Sequence, residues 1–472
     1  MEEQQKPIRN FDILKMLTIE KVPAYANKFF YSLGFLSMTC FIMTIITGSI
    51  MVFYGPDWWF TTQIGLFFRS VHLWAVQAFV VFIMLHLLIV FLTSGFKGER
   101  KLTWVFGALM FFFVLFEAEF GYILRNDFSA QWRSLQGADL YNGSGLGTLI
   151  NNLNYAQIYG VHIILIPLII LGLLFAHYVL VKVRGIAKPY KSDVKFRIVK
   201  ANHAVLFARG IVLVVLLIIL GVVFPAPIIA PATVKDIASQ DPHLFAKTIL
   251  AELDRSSDTA TYMDNIDPYT FDTKKVYVDI PYQQILSIQN GQDMLALFES
   301  KKPDAQKTLI SQTSDYFDKK GAITTSINLK NPLIPVVSTL VLMGKSGLYE
   351  ASLQAEGKKD VYNPTYVTRF LADTGVLEEE ATKLGITTDQ YGMLREEKGA
   401  LPPGAWWLAP LGLLDHTVLA NDDNQDRDGA LILGTLMLIF IAYPYIPLLN
   451  RLPEPLGVYR LIWKDKQAEK EQ

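Results

Sequence analysis

Apolar and polar positions fall in long blocks along this chain, and six apolar blocks are long enough to cross a bilayer. They run at about 29–54, 70–94, 102–124, 155–183, 204–228 and 430–449. An α-helix rises about 1.5 Å per residue, so roughly 20 apolar residues cover the hydrocarbon layer. Each block predicts a spanning helix that satisfies its own backbone polar groups. Residues 229–429 break the pattern. They are polar and charged, and the amphipathic stretches 242–254, 282–299 and 366–398 predict a mostly helical domain. Within it, the apolar run 331–343 is too short to span and predicts core. Gly344-Lys345-Ser346 lacks the upstream glycine of a phosphate loop and predicts an ordinary turn. Phe224-Pro225-Ala226-Pro227 predicts a rigid exit from the fifth span. Residues 405–415, with Trp406 and Trp407, predict a segment at the membrane interface.

Composition narrows the class. The chain has 472 residues, 51% of them hydrophobic and 18% charged. That is too apolar for an ordinary soluble protein and too charged for membrane helices throughout, so the expectation is an all-α integral membrane protein with a polar domain. A net charge of −1 gives no basis for nucleic-acid binding. Cys40 is the one cysteine, so no disulfide forms within the chain, and a CxxCH haem-attachment motif is absent. The first residues are polar and lack the pattern of a cleavable signal peptide, so the spans themselves are expected to direct insertion. Basic residues set orientation. Lys97, Arg100 and Lys101 follow the second span. Lys182, Arg184, Lys188, Lys191, Lys195, Arg197 and Lys200 follow the fourth, and Arg451, Arg460 and Lys464 follow the sixth. These clusters fall on one side with Lys6, Arg9 and Lys15, which makes that side cytoplasmic and 229–429 extracytoplasmic. The segments 1–28 and 450–472 are then cytoplasmic, and the second and fourth spans run in the same direction.

Four histidines carry the candidate chemistry. His72 and His86 lie fourteen residues apart in the second span, and His162 and His177 lie fifteen apart in the fourth. Fourteen helical residues advance about 21 Å and return to within roughly 40° of the same face. With the two spans side by side, His72 and His162 share the outer depth and His86 and His177 the inner depth. That is a ligand set for two six-coordinate haems stacked across a bilayer. Histidine is costly in lipid and normally marks function. Gly34 and Gly48 in the first span, and Gly107 and Gly121 in the third, repeat the fourteen-residue interval. A residue without a Cβ admits the edge of a flat macrocycle close to a helix backbone.

These residues resemble the cytochrome b family of the bc and bf complexes over roughly 25–190. Met38-Thr39-Cys40-Phe41 through Thr47-Gly48 to Phe53-Tyr54 reads like the family's first helix. Arg69-Ser70-Val71-His72 matches its haem-binding entry, and Gly95-Phe96-Lys97 with Leu102-Thr103-Trp104-Val105 matches the turn into its third helix. The fifteen-residue histidine interval, followed by Arg184-Gly185-Ile186, is closer to the bf-type and Gram-positive-type branch. Leu452-Pro453 through Tyr459-Arg460-Leu461-Ile462-Trp463 resembles the tail of some bacterial members. The resemblance implies a dihaem transmembrane four-helix bundle over 29–190, further transmembrane helices at 204–228 and 430–449, and two haem b. His72 with His162, and His86 with His177, are the implied ligand pairs, and the four glycines the implied haem-packing positions. Arg69, one turn before His72, either reaches an outer haem propionate or snorkels to the interface. The resemblance also implies a quinone substrate, menaquinone or ubiquinone, and a bacterial inner-membrane location. A Rieske-type iron–sulfur protein, a c-type cytochrome, or both are the implied partners in a multi-subunit complex, whose dimerisation is left open.

The chain departs from the family at the quinol-oxidising end. Gly121-Tyr122-Ile123-Leu124 runs on into Arg125-Asn126-Asp127 where the family usually has Pro-Trp. The Pro-Glu-Trp-Tyr motif is missing, Gln157 stands for an arginine, and Ser32 stands where bf-type members attach an extra haem through cysteine. Cys40 is expected to pack. Glu117 and Glu119, late in the third span, are unusual, since a carboxylate in lipid costs several kcal/mol on the higher estimates. Either one takes the proton of a quinol in place of the missing motif, or they pair with Arg125 or a partner subunit. His203, at the start of the fifth span, either touches quinone or is a plain interfacial residue. Three functions stay open: a bc-like quinol oxidoreductase subunit, a non-bifurcating dihaem conduit, and a non-redox transporter disfavoured by the matched glycines.

Overall fold

The computed structural model describes residues 18–147, 149–187, 194–263, 272–289, 292–356, 365–387, 401, 403–422, 424–465 and 468. Lys6, Arg9, Lys15, Lys188 and Lys191 lie outside these, as does the end of the 366–398 stretch.

All six predicted spans are helices of membrane-crossing length: Phe29–Tyr54, Gln63–Leu92, Gly98–Ile123, Tyr155–Arg184, His203–Val223 and Arg427–Tyr445. Much of their apolar surface is exposed, as at Ile164, Leu168, Phe175 and Val212. In water such faces would drive aggregation; against lipid they are matched to the solvent. The second span starts seven residues earlier than its apolar block. Thr62 caps it, its hydroxyl accepting from the Gly65 N–H at 3.0 Å. Arg69 and Ser70, which interrupt the hydropathy, lie inside the helix and are buried. The fifth span ends at Val223 because Phe224 precedes a proline and is pushed out of the helical region. Beside the helices, a short strand β1 (Lys21–Pro23) pairs antiparallel with β2 (Ile198–Lys200). The protein is an all-α membrane protein.

The chain divides into two compact units. One comprises Met1–Leu115, Leu168–Ala226 and Leu436–Gln472; the other comprises Phe116–Pro167 and Pro227–Thr435. In the first, the first, second and fifth spans meet at Leu36, Cys40, Ala75, Leu213 and Leu217. Cys40 is fully buried there, as a packing residue. The C-terminal Tyr459, Ile462 and Trp463 close on Tyr25 in a second apolar cluster. Arg197 holds Asp465 at 3.2 Å, and Lys97 pairs with Glu454.

Among the described residues of the second unit, the large apolar core is centred on the helix Leu333–Ser346, whose Leu333, Val336, Val337, Leu340 and Val341 are fully buried. The run 331–343 is core, as its length predicts. Gly344-Lys345-Ser346 is not the expected turn but the helix's last turn. Gly344 packs against Ala238 and Phe245, and the chain reverses only at Gly347, whose φ of +84° suits a residue without a Cβ. The segment 229–429 shares this unit with Phe116–Pro167. The reason is the helix Phe128–Gly143, which puts Phe128 and Trp132 into the same core. Its first turn is tied by hydrogen bonds from Phe128 N to Ile229 O (3.1 Å), from Gln131 Nε2 to Ala232 O (3.0 Å) and from Trp132 Nε1 to Ile386 O (3.1 Å).

Candidate haem-ligand centre

Each of the four histidines lies against one of the four glycines. In the first unit, a Cβ on Gly48 would come within 3.3 Å of His72 Cε1, one on Gly34 within 3.3 Å of His86 Cε1, and one on Gly107 within 3.4 Å of His177 Cε1. In the second unit, a Cβ on Gly121 would come within 2.9 Å of His162 Cε1. Optimal carbon–carbon contacts are about 3.5–4.0 Å. The glycines therefore let an imidazole lie flush on bare helix backbone. A macrocycle edge is the contact expected there; in this structure the ring against each glycine is an imidazole.

Hydrogen bonds fix the orientation of three rings. His162 Nδ1 is 3.0 Å from the Glu117 carbonyl and His177 Nδ1 is 3.0 Å from the Thr103 carbonyl. A carbonyl only accepts, so each Nδ1 carries the proton. His72 Nδ1 is 2.9 Å from Thr47 Oγ1, and that hydroxyl donates to the Met43 carbonyl at 2.7 Å. Its oxygen is then the acceptor, and Nδ1 again the donor. In each case the lone pair of a neutral imidazole is on Nε2, the tautomer that ligates iron. His86 and His177, in the same unit, lie within electrostatic range of each other. With Nε2 left as the donor atom, these residues fit ligation of haem iron.

The fifteen-residue interval in the fourth span has a local cause. Val161–Leu165 forms a π turn within the helix Tyr155–Arg184. Its i→i+5 bonding takes in about one residue more than an α turn. Fifteen residues containing it give the angular advance of about fourteen residues of regular helix. Pro167 explains its position. Proline clashes with the carbonyl four residues earlier and has no N–H to offer it, and a widened turn relieves both faults.

Glu117 and Glu119 have different surroundings. Glu117 Oε1 is 3.1 Å from His162 Nδ1. Glu119 is within electrostatic range of Arg133 and Tyr141. Arg133 lies over the Tyr122 ring, 4.2 Å from its centre. Arg125 holds Asp127 at 2.6 Å and donates to the Pro227 carbonyl at 2.9 Å. Arg69 is buried, donating to the Ala226 carbonyl at 3.4 Å, beside Ser70 Oγ, which accepts from Ala226 N at 2.8 Å. An interior guanidinium does not match a side chain snorkelling to water. Gln157 closes the loop before the fourth span, donating to the Leu149 carbonyl and accepting from Asn151 N at 2.9 and 2.8 Å. Sequence reasoning missed the partners of Nδ1. Thr47, adjacent to Gly48, and Thr103, four residues before Gly107, carried no signal of their own; Glu117, four before Gly121, did, as an acid in an apolar helix.

Comparison with known proteins identifies the family. The family described as cytochrome b (N-terminal)/b6/petB matches residues 77–231. Cytochrome b6 of Heliobacterium modesticaldum is 31% identical over 199 residues, covering 38% of this chain and 93% of that protein. Cytochrome b6 of Heliomicrobium gestii is 29% identical over 199 residues, with coverage of 38% and 93%. That of Picosynechococcus sp. is 29% identical over 193 residues, with coverage of 36% and 85%. A chain of a hyperthermophilic respiratory Complex III aligns over 70% of this chain and 93% of its own length, at 16% identity and a TM-score of 0.35. The chain belongs to the cytochrome b family of the bc and b6f complexes. It is a multi-pass membrane cytochrome b, a haem b-binding subunit of a bc-type complex.

Proposed function

We propose that this protein is the dihaem cytochrome b subunit of a bc-type quinol oxidoreductase. It moves electrons across the membrane between a quinone pool, menaquinone or ubiquinone, and extracytoplasmic redox partners, and so contributes to the proton gradient. A Rieske-type iron–sulfur protein or c-type cytochrome is the expected partner, in a bacterial inner membrane. His72 and His162 would hold the outer haem b, and His86 and His177 the inner one. The observation that carries this is the one-to-one match of histidines to glycines, with Nδ1 engaged on three of the four rings. Haem b, when bound, supplies one-electron redox chemistry. The chain's own residues orient the imidazoles, and Arg69 supplies a buried positive charge one turn from His72 for an outer propionate.

Of the two acids proposed for the quinol proton, Glu119 is the better placed. Glu117 is engaged with His162, whereas Glu119 sits near Arg133 and Tyr141. A buried carboxylate beside a quinol hydroxyl accepts the proton that must leave as electrons do. The optical spectrum of the purified full-length protein tests the ligand assignment. Two low-spin haem b per chain are expected, with one lost on replacing any single histidine by Ala. A colourless protein, or two fully low-spin haems in every variant, sinks it. A second reading, a non-bifurcating conduit between extracytoplasmic cytochromes and quinone, is favoured by the missing Pro-Glu-Trp-Tyr motif. Inhibitors of the two quinone sites separate them: the conduit keeps one sensitivity, the oxidoreductase shows both.

A further inference from the structure

The two Glu117 contacts to His162 are unlike what the neighbouring ligands receive. His162 Nδ1 lies between the Glu117 carbonyl at 3.0 Å and the same residue's carboxyl oxygen Oε1 at 3.1 Å. At His177 the acceptor is the Thr103 carbonyl, and at His72 the Thr47 hydroxyl; both are neutral. The other carboxyl oxygen of Glu117, Oε2, is buried without a hydrogen-bond partner. Among the described residues, His162 Nδ1 is the polar partner of this carboxylate. A buried carboxylate is normally paired, and here its pairing is with an imidazole N–H. The backbone sets the geometry: Glu117, four residues before Gly121, lies on the same face of the helix and so borders the ring that Gly121 admits.

We propose that Glu117 is a positioning residue that tunes one haem through its axial ligand. This rests on His162 being that ligand. A carboxylate accepting from Nδ1–H raises the basicity of the imidazole and so strengthens its donation to iron. Oxidised iron carries one more positive charge than reduced iron, so both the stronger donor and the nearby negative charge favour the oxidised form. The potential of that haem is thereby lowered, and the haem held by His86 and His177 is not affected in the same way. The step concerned is one electron added to iron(III) to give iron(II), the electron coming from the external reductant in a titration, with no proton transferred.

A dithionite titration of the purified complex, followed at the haem absorption bands, tests this in wild type, Glu117→Gln and Glu117→Asp. Glu117→Gln keeps an acceptor and removes the charge. It is expected to retain both haems low-spin and to raise the potential of one component alone, favouring reduction at least tenfold, or about 59 mV for one electron. The unmoved component is the internal control. Two unchanged potentials in a fully loaded Glu117→Gln protein overturn the inference. Should Glu117→Gln lose a haem, Glu117→Asp decides: haem retained at a potential near wild type supports the role, and loss in both variants overturns it in favour of a purely structural one. Failure of the ligand assignment itself looks different. His162→Ala would then keep both haems low-spin whatever Glu117 does.

Discussion

At the scale of single residues, fractions of an ångström decide which glycines matter. A methyl group on Gly121 would meet His162 at 2.9 Å, whereas one on Gly107 would meet His177 at 3.4 Å. Overpacking a fitted site costs about 1–3 kcal/mol. Gly121→Ala is therefore expected to displace the imidazole and lower haem content well below that of Gly107→Ala, measured as haem absorbance per protein; equal content in both would contradict the contact. Thr47 gives a second case. Thr47→Val keeps the shape and removes the oxygen that receives His72 Nδ1–H. A buried donor left unpaired costs about 1–3 kcal/mol, and loss of such a partner typically weakens metal affinity 10–100-fold. One of the two haem signals should then become labile to competition by apomyoglobin, with the other unchanged. The histidines and glycines were legible in the sequence because they repeat an interval of fourteen residues, stretched to fifteen in the fourth span. Thr47 and the Thr103 carbonyl were not, because a threonine beside a glycine and a backbone oxygen look the same wherever they stand. Arg69 shows the converse: a charged residue hid the true start of the second span, although it is inside it and buried.

At the scale of elements, the π turn is what makes an odd interval work. If Val161–Leu165 absorbs the extra residue, removing one residue there should leave the ligands in register. Deletion of Ile164, whose side chain is largely exposed, is expected to retain haem, while insertion of one alanine after Gly172 should rotate His177 by about 100° and lose it. Pro167 was visible in the sequence and could have announced the turn. Long apolar blocks suppress that signal, because hydropathy counts residues and takes no account of helical phase. The polar unit holds a different test. Glu252, at the end of Pro242–Asp254, lies beside Asp373, with Ser257 Oγ donating to Glu252 at 2.8 Å and Thr259 N donating to Asp373 at 2.9 Å. Two carboxyls in contact must share a proton. Burial, with the Asp373 charge beside it, pushes Glu252 up to about 10, and Asp373 is raised as well. The folded state thus holds a proton that the unfolded state releases above the ordinary carboxylate range. Stability from this pair is full below about pH 4.5 and declines as pH rises toward 10, by at most about 1.4 kcal/mol per unit for one group. Calorimetry of the full-length protein should show the transition of this unit falling between pH 6 and pH 9. Glu252→Gln, which mimics the protonated form, should flatten that slope; an unchanged slope would mean the pair does not share a proton.

At the scale of the whole molecule, the spans and the existence of a polar domain were legible because they depend only on counts of apolar residues over some twenty positions. The composition of the compact units was not. Phe128, Gln131 and Trp132 follow the third span and look like any polar-flanked loop helix, yet they join the core built by residues a hundred positions and more downstream. Such long-range pairing leaves no local trace in a sequence. Orientation is the remaining global property, and it follows from basic residues alone. Lys97, Arg100, Arg184, Arg197 and Lys464 all occur at the ends of spans, between them or beyond them, on the same side of an alternating topology, so that side should be cytoplasmic. Cys40 is buried and is the single cysteine, which makes the test clean. In a Cys40→Ala background, Lys301→Cys, at an exposed site of the polar unit, should react with a membrane-impermeant maleimide in intact cells. Lys195→Cys should react only after the membrane is opened. The opposite result would invert the chain, put 229–429 in the cytoplasm, and require any redox partner docking there to be cytoplasmic; the ligand geometry within each unit would be untouched, but electron flow would have to be reassigned from the other face.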